Sequence, residues 1–212
     1  QIDSVASSKH LERYTRISLN PLTPQQSQQM VESLLAVEDL PSEIKSAILE
    51  KTEGNPFFVE EVIRWMMERG VIFQKDGRWK AKATIRELAV PDTIQSVILA
   101  RIDRLHEEVK YVLQRASVIG RVFQRRLLSY ISSQGEALEE HLSELEDSEL
   151  VYKEKILPEL EYAFKHALTQ ETTYQGLLRR QRSAFHERVG EGIETLYHEQ
   201  IEEYYEQLAY HY

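Results

Sequence analysis

Apolar residues recur every three or four positions along most of this 212-residue chain, which is the period of an amphipathic α-helix. Prolines and glycines stand at the ends of these periodic segments, where helices begin and end. Residues 135–147 are typical, because Leu138, Leu142 and Leu145 share one face and the other faces are charged. The sequence therefore predicts a mainly α-helical fold.

The stretch EGNPFFVEE, residues 53–61, carries the clearest helix start. Asn55 suits the N-cap, because its side-chain oxygen can accept an unpaired backbone N–H of the first turn. Pro56 suits the first helical position, where it loses no hydrogen bond and its φ is already helical. Gly54 is expected to end the preceding helix as a left-handed cap. The predicted buried stripe of the new helix is Val59, Val62, Ile63 and Met66.

Two helices are predicted before this one, over residues 24–40 and 41–54, each with a proline in its first turn. The hydrophobic-then-acidic segment 34–40 resembles a magnesium-binding strand, but its helical spacing favours a helix end. The expected buried residues of the two helices are Met30, Val31, Leu34, Leu35, Ile44, Ile48 and Leu49.

Short β-segments are predicted in three places. Residues 15–20 alternate apolar and polar side chains, the period of a half-buried strand. Asp76 and Gly77 separate two β-rich runs and form the strongest hairpin signal in the chain. Residues 151–166 are β-rich around Pro158 and indicate a second hairpin.

The second hairpin follows three predicted helices, and this is the plan of a winged helix over about residues 106–166. The third of these helices would enter a DNA groove, yet it contains no lysine or arginine. Phosphate neutralisation needs positive charge, so we expect no nucleic-acid contact by this segment. Its acidic residues, with those just beyond, are Glu136, Glu139, Glu140, Glu144, Glu146, Asp147 and Glu149.

Several kinds of chemistry are excluded or disfavoured by what the sequence lacks. There is no GxxxxGK[ST] phosphate loop, so we expect no ATP hydrolysis by this segment and no catalytic residue in it. Cysteine is absent and no histidine pair has the HExxH spacing, so no metal site is expected. The net charge of −9 disfavours nonspecific binding to nucleic acid or acidic membranes. No apolar run approaches membrane-spanning length. The absence of cysteine fits the reducing cytosol, so a cytoplasmic location is expected.

Four stretches together resemble a known family. They are ISLNPLTPQQSQQMVESLL, TEGNPFFVEEVIRWM, VPDTIQSVILARIDRLHEEVKYVLQRASVIGRVF and YAFKHALTQETTYQGLL, lying between Ile17 and Leu178. The chain thereby resembles the ATPases attached to class III adenylyl cyclases, a group that includes soluble adenylyl cyclase. These belong to the signal-transduction ATPases with numerous domains, which also include apoptotic ATPases, plant resistance proteins and maltose-type activators.

The resemblance implies an order of domains and a chain cut from a longer protein. Residues 1–22 would be the terminal strand of a P-loop ATPase core that lies outside this chain. Residues 23–90 would be a helical lid with a β-hairpin, and residues 91–168 a winged-helix domain. Residues 169–212 would begin a tetratricopeptide-like array, whose repeats would cover the C-terminal tyrosines and bind other proteins.

The resemblance also implies nucleotide-contacting residues. Gly54, Asn55 and Pro56 stand at the family's glycine-x-proline motif, whose proline packs beside adenine. His166 corresponds to a histidine that senses the diphosphate of ADP, although Ala167 stands where apoptotic and resistance proteins have an aspartate. A simpler role for His166 is to join the wing to the next helix. ATP or ADP, with magnesium, would bind the full-length protein rather than this segment alone.

The function implied is regulatory. The segment would relay the nucleotide state of the P-loop core to an output domain such as an adenylyl cyclase. Two alternatives remain: a segment of a maltose-activator-type transcription regulator whose DNA-binding module lies elsewhere, and a protein-interaction scaffold that contacts partners through its acidic helix and tyrosine-rich end.

Overall fold

The computed structural model describes residues 18–35, 40–75, 78–81 and 90–212. Over these residues the protein is mainly α-helical, with small antiparallel β-sheets of two and three strands. This confirms the prediction of a mainly α fold with small hairpins. The chain divides into two compact units, Gln1–Leu88 and Ala89–Tyr212. No helix in the described ranges is long and apolar enough to cross a membrane.

The first unit contains three helices followed by a hairpin, and α1 and α2 both pack against α3. The side chains of α3 predicted to point inward are all buried, which confirms the predicted stripe of that helix. The elements of this unit are α1 Pro24–Leu35, α2 Ser42–Thr52, α3 Pro56–Glu68, β1 Ile72–Lys75 and β2 Arg78–Ala81.

The predicted faces of α1 and α2 were partly wrong. Leu34 is 45% exposed, and the buried side of α1 instead comprises Ser27, Val31 and Leu35 at a strict four-residue spacing. On α2, Ile44 and Ile48 are buried as predicted, but the third buried residue is Thr52 instead of Leu49. The Thr52 hydroxyl is satisfied in the interior because it donates to the carbonyl of Ile48 at 2.8 Å. Each helix buries a narrower stripe than its apolar composition suggests.

The first hairpin forms where Asp76 and Gly77 predicted it. Lys75 pairs with Arg78 and Ile72 with Ala81. Residues 76 and 77 lie outside the described ranges. The indole N–H of Trp79 donates to the carbonyl of Leu35 and so joins the hairpin to the C-terminus of α1. The hairpin is therefore part of the packed unit.

Two predictions at the start of the chain reach beyond the described residues. Of the predicted strand 15–20, residues 15–17 lie outside them, and residues 18–20 are irregular rather than extended in a sheet. Of the predicted helix 24–40, the first twelve residues form α1, and residues 36–39 lie outside the described ranges.

The second unit has a winged-helix arrangement followed by further helices. Its three-stranded sheet has the order β3-β5-β4, with both pairs antiparallel. The elements are α4 Ile94–Ile102, α5 Glu107–Ile119, β3 Val122–Gln124, α6 Arg125–Ser132, α7 Ala137–Asp147, β4 Val151–Lys155, β5 Glu161–Phe164, α8 Ala167–Gln175, α9 Arg179–Leu196, a 3₁₀ segment His198–Tyr204 and α10 Tyr205–His211.

The helix–strand–helix–helix–strand–strand order from α5 to β5 is that of a winged helix. The sequence predicted its three helices and hairpin but not β3, which pairs with β5 through Phe123 opposite Tyr162. These two rings stack at 5.9 Å between centroids inside the core. The three leucines predicted to face inward from α7 are fully buried there.

Two glycines let α9 pack closely on both sides. A Cβ on Gly192 would lie 2.8 Å from a methyl group of Leu127 on α6. A Cβ on Gly190 would lie 2.6 Å from the ring of Tyr212, which follows α10. The predicted apolar stripe of α9 is confirmed at its centre, where Val189 and Ile193 are buried, whereas its ends are only half-buried.

Candidate functional site

A tight backbone turn carries the chain from α2 into α3. Glu53 and Gly54 both have positive φ, 48° and 76°, so two successive left-handed residues make the turn. The C-cap position belongs to Glu53, whose N–H donates to the carbonyl of Leu49, and the predicted cap Gly54 follows it. The Leu22 N–H donates to the Gly54 carbonyl at 2.8 Å, which ties the turn to the segment before α1.

Asn55 caps α3 as predicted. Its backbone is extended, and its side-chain oxygen accepts the Phe58 N–H at 3.1 Å. Pro56 occupies the first turn of the helix, where its fixed φ is compatible with the helical backbone. Both side chains are exposed, while Phe58 and Val59 directly behind them are buried. The result is a rigidly held proline ring that faces solvent.

A shallow groove of about 210 Å³ lies beside the turn on the Gly54 side. The hydroxyl of Ser27 is buried at this groove and has no hydrogen-bond partner among the described residues. Asn55 and Pro56 do not line the groove. Its lining residues are Leu22, Pro24, Ser27, Leu49, Glu53 and Gly54.

His166 lies in the second unit, between α8 and the hairpin of β4 and β5, which is the wing of the winged helix. It is the N-cap residue of α8, with extended φ and ψ of −130° and 138°, and its carbonyl accepts the Thr169 N–H at 3.0 Å. Its imidazole makes no capping hydrogen bond. Directly before it, the Lys165 N–H donates to the carbonyl of Leu150 beside the wing. The backbone of His166 therefore connects β5 with α8.

The outer surface of α7 is acidic. Its leucines point into the core, and Glu139, Glu140 and Asp147 are exposed. Basic side chains of neighbouring elements form ion pairs with acidic residues of α7 and with Glu149 just beyond it. These pairs are Arg125–Glu139, Lys153–Glu146 and Lys165–Glu149.

The predicted site residues thus lie in two places, Asn55 and Pro56 at one helix start of the first unit and His166 at one helix start of the second. The contact of Gly54 with Leu22 was not predicted from the sequence, because a glycine alone does not indicate which backbone segment approaches it closely. A contact between His186 and His211 was not predicted either. In the described ranges no three His, Cys, Asp or Glu side chains are grouped to hold a metal ion.

Residues 23–80 match a family described as a domain of unknown function (DUF8739). The matched segment runs from just before α1 into β2, so it includes the turn at Gly54 and the hairpin. It covers less than half of the chain. None of the curated proteins matches this sequence.

Proposed function

We propose that this chain is a regulatory, noncatalytic segment of a nucleotide-switched signalling ATPase. Residues 23–90 act as the lid, residues 91–168 as the winged helix, and residues 169–212 begin a helical-repeat region. The segment relays whether ATP or ADP occupies a P-loop core to an output domain such as an adenylyl cyclase. The core holds the nucleotide phosphates and magnesium, and the whole protein acts in the cytoplasm.

The observation that carries this proposal is the exposed, rigid ring of Pro56. Three features restrain it: the Asn55 cap, the Leu22–Gly54 hydrogen bond behind the turn, and the burial of the residues that follow in α3. A rigid apolar ring at a fixed place loses little conformational entropy when a planar ligand packs against it. Adenine is such a ligand, and the family that this sequence resembles uses the proline of this motif for it.

The acidic winged helix supports a relay rather than a DNA-reading role. A groove-binding helix neutralises phosphates with lysine and arginine, and α7 presents carboxylates instead. A winged helix that does not read DNA can still move as a body between two arrangements. The maltose-activator alternative therefore needs a separate DNA-binding module.

The proposed switch requires a nucleotide to bind with different affinities to two arrangements of the core, lid and winged helix. ADP holds core, lid and winged helix together through Pro56 and His166, whose imidazole can donate a hydrogen bond to phosphate. Exchange of ADP for ATP releases the winged helix, a rigid-body movement of a domain. The output domain responds to that movement.

Calorimetric titration of the full-length protein with ADP tests the contribution of Pro56. Pro56→Ala should weaken ADP binding, because the rigid ring is lost. Pro41→Ala is the matched control, since Pro41 is an exposed proline just before α2 in the same unit. Equal ADP affinity in Pro56→Ala and the unsubstituted protein would overturn the adenine contact, and absence of any nucleotide heat in the full-length protein would favour the scaffold alternative.

His166→Ala tests the phosphate contact in the same titration. The matched control is His106→Ala, because His106 is also a helix N-cap without a side-chain capping bond. We expect His166→Ala to reduce the preference for ADP over AMP, which lacks the second phosphate, and His106→Ala to leave it unchanged. An unchanged ADP preference in His166→Ala would remove the sensing role of this histidine.

A further inference from the structure

Two histidines meet between the last two helices of the second unit. Nδ1 of His186 on α9 lies 2.7 Å from Nδ1 of His211 on α10, and the ring centroids are 4.9 Å apart. The other nitrogen of His186, Nε2, lies 3.0 Å from the hydroxyl of Tyr174 on α8. A chain of hydrogen bonds therefore joins α8, α9 and α10.

The contact between the two rings limits how many protons they can carry. One Nδ1 must donate and the other must accept, so a hydrogen bond of 2.7 Å requires one of them to lack a proton. Nε2 of His211 is buried and has no partner among the described residues. The neutral pair leaves no buried N–H unpaired when His211 Nδ1 donates to His186 Nδ1 and His186 Nε2 donates to Tyr174.

The neutral pair can take up two protons, and each of them disfavours this arrangement. The first places an N–H⁺ at the buried Nε2 of His211, where it finds no acceptor among the described groups. The second places two donors and two positive charges face to face across the Nδ1 contact. Burial of an unpaired charge is costly, and the pair relieves it by separating.

Among the described residues, few others contribute to the burial of α10. The helix spans seven residues, and His211 is its one buried residue. Tyr212 beyond it packs on Gly190, and Tyr204 before it stacks on Tyr197 at 4.4 Å between centroids. Tyr205 and Tyr210 are exposed, although the Tyr210 ring also contacts the His186 ring edge to face, at 5.5 Å between centroids. The histidine contact is thus central to holding α10 on α9.

We propose that His186 and His211 form an acid-sensitive clasp, which holds α10 against α9 while both rings are uncharged and releases it when they are protonated. This device needs no nucleotide and is independent of the function proposed above. Its effect is local, since α9 remains anchored on α6 through Gly192 when α10 leaves.

The surroundings oppose protonation of both rings. Burial, followed by the charge of His186, lowers the pKa of His211 from 6.5 to about 4. Burial, followed by the charge of Arg182, lowers the pKa of His186. Glu187 on α9 also lines the cleft beside the pair, whereas the carboxylates of the neighbouring 3₁₀ segment and of α10 are exposed; these are Glu199, Glu202, Glu203 and Glu206.

The direction of the pH effect follows from these pKa values. A released His211 binds a proton below about 6.5, and the docked one only below about 4. The released state therefore binds more protons between those values, and docking weakens as the pH falls through that window. From pH 7.5 to pH 5 the population of released α10 should rise about 30-fold, with no further change below about pH 4 from this group.

Hydrogen exchange of the full chain tests the clasp. Backbone amides of residues 205–212 should lose protection about 30-fold between pH 7.5 and pH 5, after the intrinsic pH dependence of exchange is divided out. Amides of α5 should keep theirs. His211→Leu fills the same buried place with a side chain that does not titrate, so protection in that variant should not depend on pH.

Two controls separate the clasp from other effects. His198→Gln removes an exposed histidine near the same helix and should retain the pH dependence. NMR titration of the ring protons gives the pKa of His211 directly, even in variants whose α10 does not dock, and a chelator keeps stray metal ions off the pair. An unshifted His211 pKa, or unchanged pH dependence in His211→Leu, would overturn the proposal.

Discussion

The carbonyl oxygen of Gly54 accepts a hydrogen bond from the Leu22 N–H at 2.8 Å, and these two backbones leave no room for a side chain between them. A Cβ on Gly54 would lie 2.3 Å from the carbonyl oxygen of Leu22. The φ of Gly54, 76°, is also one that residues with a Cβ rarely adopt. The first unit therefore depends on glycine at this position for two separate reasons.

Gly54→Ala should destabilise the first unit by about 2–4 kcal/mol, combining left-handed strain with displacement of the Leu22 segment. Gly135→Ala is the control, since Gly135 has a φ of 54° but open space around it. That variant should lose only about 1 kcal/mol. Denaturant unfolding followed by circular dichroism gives both values, and equal losses would mean that the Leu22 contact contributes nothing.

Asn55→Ala should cost about 1 kcal/mol, because the Phe58 N–H loses its acceptor at the start of α3. Asn55→Asp should retain most of the stability, since a carboxylate accepts the same bond and is favoured at a helix N-terminus. Thermal melts of the two variants compare them directly. If Asp and Ala were equally destabilising, the cap would not stabilise this helix.

Local signals predicted most of the helices. Asn55 and Pro56 define the start of α3 by chemistry that acts within one helical turn, so the sequence alone was sufficient there. The same holds for the leucine face of α7, which repeats over about two turns. The hairpin at residues 72–81 was predicted from two residues whose turn preference is strong.

The features that the sequence did not predict depend on contacts between distant segments of the chain. Strand β3 has three residues, too few for a periodic pattern, and it exists because β5 pairs with it almost forty positions later. Leu34 was expected inside because it is apolar, but the neighbours of α1 cover only the side marked by Val31 and Leu35. The His186–His211 contact likewise requires α10 to fold back on α9.

Leu142→Ala should destabilise the second unit by about 2–5 kcal/mol, because Leu142 is fully buried on α7 and truncation leaves a cavity. Leu178→Ala, at a residue that is 70% exposed, should cost less than about 0.5 kcal/mol. The two chemically identical changes differ in burial, so their difference in unfolding free energy measures packing under α7. A small loss in Leu142→Ala would show that α7 is loosely packed.

The hydroxyl of Tyr197 joins the wing to the end of α9, since it donates to the carboxylate of Glu159 at 3.0 Å. Burial, and then the charge of Glu159, raises the pKa of Tyr197 above its ordinary value of 10.0. The unfolded chain therefore loses this proton at lower pH than the folded one does. The stabilisation of the folded state by the protonated Tyr197 is complete below about pH 10 and decreases as the pH rises beyond that value.

Tyr197→Phe should cost about 1–2 kcal/mol at neutral pH, where a hydrogen bond to a charged acceptor is lost and Glu159 loses its donor. The stacking on Tyr204 is preserved, because the ring remains. The measurement is the unfolding free energy of both proteins from pH 7 to pH 11. The difference between them should be constant to about pH 10 and then shrink. Glu159→Gln keeps an acceptor without its charge, so it should lose less than Tyr197→Phe, and a difference that stays constant to pH 11 would contradict the raised pKa.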